Sequence, residues 1–116
     1  MELYVIILIV WLHFVADFIF QSDRIAINKS KSNLVLLEHV VKYCILFLII
    51  GTWFAVLNAA LHFIVDWCTS RITSYYWSKD KRHEFFVTIG CDQALHLTCL
   101  TTTYYWMKHY GLGVWF

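Results

Sequence analysis

The chain has 116 residues, enough for one domain, and its composition is skewed: 60% hydrophobic, 19% aromatic and only 15% charged. An average soluble domain is about 45–50% apolar and about 25% charged, so both shifts point towards lipid. The net charge of +1 excludes the basic face that a nucleic-acid partner needs.

Four apolar blocks follow in chain order, at 3–20, 34–50, 54–75 and 84–107. Each is close to the roughly 20 residues that cross a bilayer core of about 30 Å. The first block lacks a basic leader and a small-residue cleavage site, so it is expected to persist as a helix. The expected fold is all-α: a single transmembrane domain over 1–116 with four spanning helices in two hairpins. Connectors 21–33 and 76–83 hold most of the basic side chains, among them Arg24, Lys29, Lys31, Lys79, Lys81 and Arg82. The positive-inside rule makes these connectors cytoplasmic, which puts both termini on the other side and predicts a multi-pass protein of the bacterial inner membrane. Cys44, Cys68, Cys91 and Cys99 form no C-x-x-C pair and read as small buried hydrophobes.

Ionisable side chains interrupt these apolar blocks at helical spacing. Residues four apart share one helix face, and three such pairs occur: His13 with Asp17, His62 with Asp66, and Asp92 with His96. His39 adds an imidazole from the second block. The run His13-Phe-Val-Ala-Asp17-Phe is echoed by His62-Phe-Ile-Val-Asp66-Trp. A charge at the bilayer centre costs about 2.5–3.5 kcal/mol, so three aspartates there would cost on the order of 8–10 kcal/mol without compensation. Mutual hydrogen bonds, an aqueous cavity or a bound cation would supply it.

A metal accounts best for the residue types. Imidazole nitrogen and carboxylate oxygen suit zinc, manganese or iron. His13, Asp17, His39, His62, Asp66, Asp92 and His96 exceed the needs of one tetrahedral ion. The surplus allows two ions, or one ion with outer carboxylates orienting the imidazoles. Asp66 and Asp92 are the candidate catalytic carboxylates. A purely structural polar network is the plainer alternative. Glu38 and Lys42 have the spacing of a surface ion pair, Arg71 that of a headgroup or phosphate contact, and Thr101–Thr103 that of helix packing. His83 and His109 are expected at the surface, and Gln93 on a different face from the ligands.

The run His13-x3-Asp17-x3-Gln21, His39, His62-x3-Asp66 with Ser70-Arg71, and Asp92-Gln93-x2-His96 resembles an uncharacterised family of small bacterial and phage inner-membrane proteins. That family is similar in motif style to predicted membrane-bound metal-dependent hydrolases. The resemblance implies that the seven His and Asp residues named above form the site. The expected function is therefore a metal-dependent hydrolase acting on a lipid-linked or phosphorylated substrate at the cytoplasmic leaflet. A proton or ion pathway, and a non-catalytic factor binding a partner membrane protein, stand as alternatives. Membrane lipid and further copies of the chain are the other expected partners.

Overall fold

The computed structural model describes residues 2–115 and is all-helical. α1 (Glu2–Phe14) runs directly into a π-helical turn over Val15–Ile19. The wider turn closes with the Phe20 amide donating to the Val15 carbonyl at 2.9 Å. Such turns shift the register of every following side chain and recur at functional sites; this one carries Asp17.

The polar connector after it is partly ordered as α2 (Asp23–Asn28), a helix the apolar pattern did not announce. Ser22 starts it, its hydroxyl accepting from the Ile25 amide at 3.3 Å. Ser32 caps α3 (Asn33–Phe47) in the same way, accepting from Val35 at 3.4 Å. These caps satisfy amides that the first helical turn leaves without partners. α4 (Thr52–Ser78) follows Gly51, and α5 (Arg82–His109) follows a tight connection in which Asp80 takes φ of 57°. α4 packs against both α3 and α5, and α1 completes the bundle against α3 and α5.

Each helix buries one stripe, and the stripes change character along their length. Val5 and Ile9 of α1, Tyr43 and Phe47 of α3, Phe54 and Ala55 of α4, and Leu100 and Tyr104 of α5 form a common apolar core. The other half of the same stripes holds His13, Asp17, His39, His62, Asp66, Asp92 and His96, all buried. Polar groups thus line the inside of one half, while large apolar side chains also remain outside. Trp11 is 63% exposed, Ile45 61% and Ile64 61%.

The expected four-span topology is not what the structure holds. Among the described residues one helical stretch, Glu2–Ile19, is long and apolar enough to cross a membrane. The 15 residues of α3 reach only about 22 Å at 1.5 Å per residue, short of a bilayer core. α4 and α5 have the length, but Asn58, His62, Asp66 and Arg71 dilute the first, and Asp92, Gln93, His96 and a series of threonines the second. The two-hairpin topology and the assignment of both termini to the non-cytoplasmic side rested on four spans, and they fall with that count. The cysteines are also corrected. Cys68 and Cys91 are exposed and Cys44 and Cys99 half-buried. Cys68 lies two residues after Asp66, roughly 200° around the helix from the buried stripe.

Candidate metal centre

Helical phase brings the polar half of each stripe to one place. On α4, His62 and Asp66 are one turn apart and face inward; on α5, Asp92 and His96 do the same. α3 supplies His39, and the π turn aims Asp17 at it, with the imidazole Nε2 and carboxylate Oδ1 2.9 Å apart.

Four donor atoms converge. Nε2 of His39 lies 3.0 Å from Nε2 of His62, and 3.5 Å from Asp66 Oδ2. Nε2 of His62 lies 3.5 Å from Asp17 Oδ1 and 3.4 Å from Asp66 Oδ2. Bonds of about 2.0–2.1 Å to a tetrahedral ion place its ligands roughly 3.3 Å apart, so these separations match the edges of an ion cage. Asp17, His39, His62 and Asp66, all buried, therefore form a group able to hold a metal ion; Asp17, Asp92 and His96 form a second.

A shell of hydrogen bonds surrounds the cage. His13 donates from Nε2 to Gln93 Oε1 at 2.7 Å. That bond leaves Nδ1 to accept from the Tyr43 hydroxyl at 3.1 Å, which settles the tautomer of a neutral ring. The Gln93 amide donates to Asp17 Oδ2 and to Asp92 Oδ2, each at 3.0 Å. The single Nε2–H of His96 is shared between Asp66 Oδ1 at 3.0 Å and Asp92 Oδ1 at 3.1 Å. Thr69 donates a short hydrogen bond to the same Asp92 oxygen. The His62 ring stacks between Tyr43 and His96, with both centroids 4.0 Å away. Nδ1 of His39 and Nδ1 of His62 have no partner.

The charges are strongly coupled. Burial works against ionisation of Asp66, yet hydrogen bonds from His62 and His96 and the charge of Lys29 hold it well below the usual carboxylate range. Burial depresses His62, and Asp66 offsets only part of that. Burial also opposes a charged His96, but Asp66 and Asp92 override it and push the imidazole up to about 9. His96 is thus an imidazolium tying two carboxylates together in the metal-free protein, which favours the cage of Asp17, His39, His62 and Asp66 over the second group as the ion site.

All seven residues read from the sequence gather in this region. Four point at the cage centre, while His13, Asp92 and His96 orient the others. Four participants escaped the sequence reading. Gln93 was placed off the ligand face, but a glutamine is long enough to reach round and bridge His13, Asp17 and Asp92. Tyr43 lies one turn after His39, a spacing that could have marked it, and Thr69 lies three residues after Asp66. Lys29, whose ammonium donates to Asp66 Oδ2 at 2.8 Å, carried no such signal. Burial opposes its charge, and Asp66 and Asp17 overcome this and raise its pKa. Elsewhere, Glu38 takes Arg24 at 2.6 Å as its closer partner, with Lys42 at 3.5 Å. Arg71 is held by the Trp67 carbonyl and by Asn33, and His83 and His109 are exposed.

A cavity of about 710 Å³ adjoins the centre, with Asp66 and Asp92 in its wall. The comparisons with known proteins add a family and little else. No curated protein and no solved structure matches the chain. A family profile described as a protein of unknown function, DUF3307, matches residues 4–115, and the chain belongs to that family.

Proposed function

We propose that this protein is a metal-dependent hydrolase whose ion is held by Asp17, His39, His62 and Asp66. The observation that carries the reading is the convergence of two imidazole nitrogens and two carboxylate oxygens within 4.8 Å of one another in a buried site. Three carboxylates share this region with one ammonium, so charge balance calls for imidazole protonation or an added cation. Zinc in a filled four-ligand cage makes a closed, structural site. Manganese or iron(II) accepts more ligands and leaves a position open, so the donor set favours these for catalysis. A bound ion of this kind acts as a Lewis acid and activates water for hydrolysis. Asp92, in the cavity wall and outside the cage, is the carboxylate positioned to take up a proton, while Asp66 serves as a ligand. Lys29 and Lys31 on the cavity favour a phosphorylated substrate. The apolar side chains left on the outside favour one carried by a lipid.

The test is direct. Purified protein is analysed for metal, then assayed with manganese or iron(II) against phosphate monoesters and diesters. Stoichiometric metal and turnover lost in Asp92→Asn support the proposal. A folded protein that takes up neither manganese, iron(II) nor zinc overturns it.

A further inference from the structure

The cavity beside the cage contains polar groups that the ion site does not use. Ser70 lies one turn beyond Asp66 on α4, is only 6% exposed and lines the cavity. Its hydroxyl has no hydrogen-bond partner. A buried hydroxyl left without a partner carries a desolvation cost, which a ligand in the cavity relieves. Gln21, on the same wall, has a second buried atom without a partner, its Oε1.

Lys29 stands at the boundary between cage and cavity. Its ammonium gives one hydrogen bond to Asp66 Oδ2 at 2.8 Å. An ammonium has three donors, and Lys29 also lines the cavity, so two donors remain for a group there. Lys31 adds a second positive charge, while the Thr73 and Ser74 hydroxyls on the same wall already donate to the Ser70 carbonyl and to Ser30. Lysines and hydroxyls converging on one space make an anion site, and a tetrahedral oxyanion uses several donors at once. The volume of about 710 Å³ exceeds what an inorganic anion fills and lies in the range of pockets for larger ligands. Asp66 and Asp92 also reach the wall, Asp66 paired with Lys29 and both with His96, and an apolar side is formed by Ile27, Trp77, Phe85 and Ile89. The rings of Trp77 and Phe85 are 4.9 Å apart at their centroids.

We infer that this cavity is a binding site for a phosphate monoester carried on an apolar chain, its phosphate held by Lys29 and Ser70 and its chain lying along Ile27, Trp77, Phe85 and Ile89. The inference deepens the hydrolase reading by naming its substrate class, and it rests on that reading for the chemistry alone. The binding groups lie outside the ion cage.

Calorimetric titration of the full chain, metal-free and manganese-loaded, with decyl phosphate, glycerol phosphate and decanol tests this. Decyl phosphate is expected to bind at least 10-fold tighter than either of the others. Lys29→Met should weaken decyl phosphate 10-fold or more and leave decanol unchanged. Ser70→Ala, which removes a hydroxyl without a partner and therefore leaves the fold intact, should weaken it several-fold. Equal affinity for decyl phosphate and decanol overturns the inference, as does glycerol phosphate binding as tightly as decyl phosphate, which would mark a site for a soluble phosphate. If neither manganese, iron(II) nor zinc binds, the hydrolase reading falls, and the metal-free titration still decides the cavity by the same criteria.

Discussion

Nε2 of His39 and Nε2 of His62 face each other across 3.0 Å, with a carboxylate oxygen of Asp17 beside one and of Asp66 beside the other. A hydrogen bond between the two rings uses one proton and needs the second nitrogen bare. Two N–H groups serving the two carboxylates would instead point their hydrogens at the same small space. A cation between the four atoms relieves both conflicts.

This arrangement predicts tight metal binding that depends on each imidazole. His62→Ala should lower manganese or zinc affinity by more than about 100-fold, since even outer partners of metal ligands contribute about 10–100-fold. Metal analysis after dialysis, with circular dichroism as a check on folding, measures this. Chelation should lower stability too. An ion present at about 100 times its Kd stabilises the folded state by about 2.7 kcal/mol, seen as a lower denaturant midpoint after chelator treatment.

Gln93 bridges three members of the centre without being able to ligate as a charge. Gln93→Leu should leave metal bound but weaken it by about 10–100-fold. It also strips His13 and Asp17 of partners, for a loss of about 1–3 kcal/mol in stability. Paired metal and urea titrations read both effects. An unchanged metal affinity would show that the glutamine only fills space.

The metal-free protein should lose stability as the pH rises from about 6.5 to 9. His96 is raised to about 9 in the fold against about 6.5 unfolded. Its contribution is therefore complete below pH 6.5 and vanishes as the pH passes the folded value. A shift of this size corresponds to at most about 3 kcal/mol. Asp66 has the opposite sign: its depressed pKa contributes stability above the ordinary carboxylate value that is lost on acidification. Urea midpoints across this range should fall on the alkaline side in the parent chain, and His96→Gln should flatten that limb.

Gly51 is constrained by the C-terminal segment. The Trp115 amide donates to the Ile50 carbonyl at 2.8 Å, and its indole donates to the Leu48 carbonyl at 3.1 Å. This fold-back brings the Gly113 carbonyl so close to Gly51 that a Cβ there would run into it. Gly51→Ala should destabilise by about 1–3 kcal/mol, the usual penalty for overpacking. Thermal unfolding measures this, with Gly90→Ala, where a Cβ meets open space, as the control.

The sequence made the ionisable pairs legible because helical periodicity is local. His62 with Asp66 and Asp92 with His96 must share a face on any regular helix, and the structure buries both pairs. The same local reasoning misjudged the apolar blocks. Hydrophobic content near the length of a span is a property of composition, whereas α3 ends at Phe47 and α4 and α5 carry a polar stripe through much of their length. Gln93 shows where face arithmetic fails: a flexible amide reaches partners that its Cα position does not suggest.

The sequence alone determined that the chain is helical, that imidazoles and carboxylates recur one turn apart, and that these residue types suit a divalent ion. Those are consequences of spacing and donor chemistry, which act within a few residues. Tertiary packing decided which of the seven side chains face a common centre, that the π turn delivers Asp17 to His39, and that Lys29 of a distant connector reaches Asp66. Convergence among helices depends on their relative register and tilt. These are set by the apolar half of the bundle, where Phe47, Phe54 and Leu100 lock the stripes together.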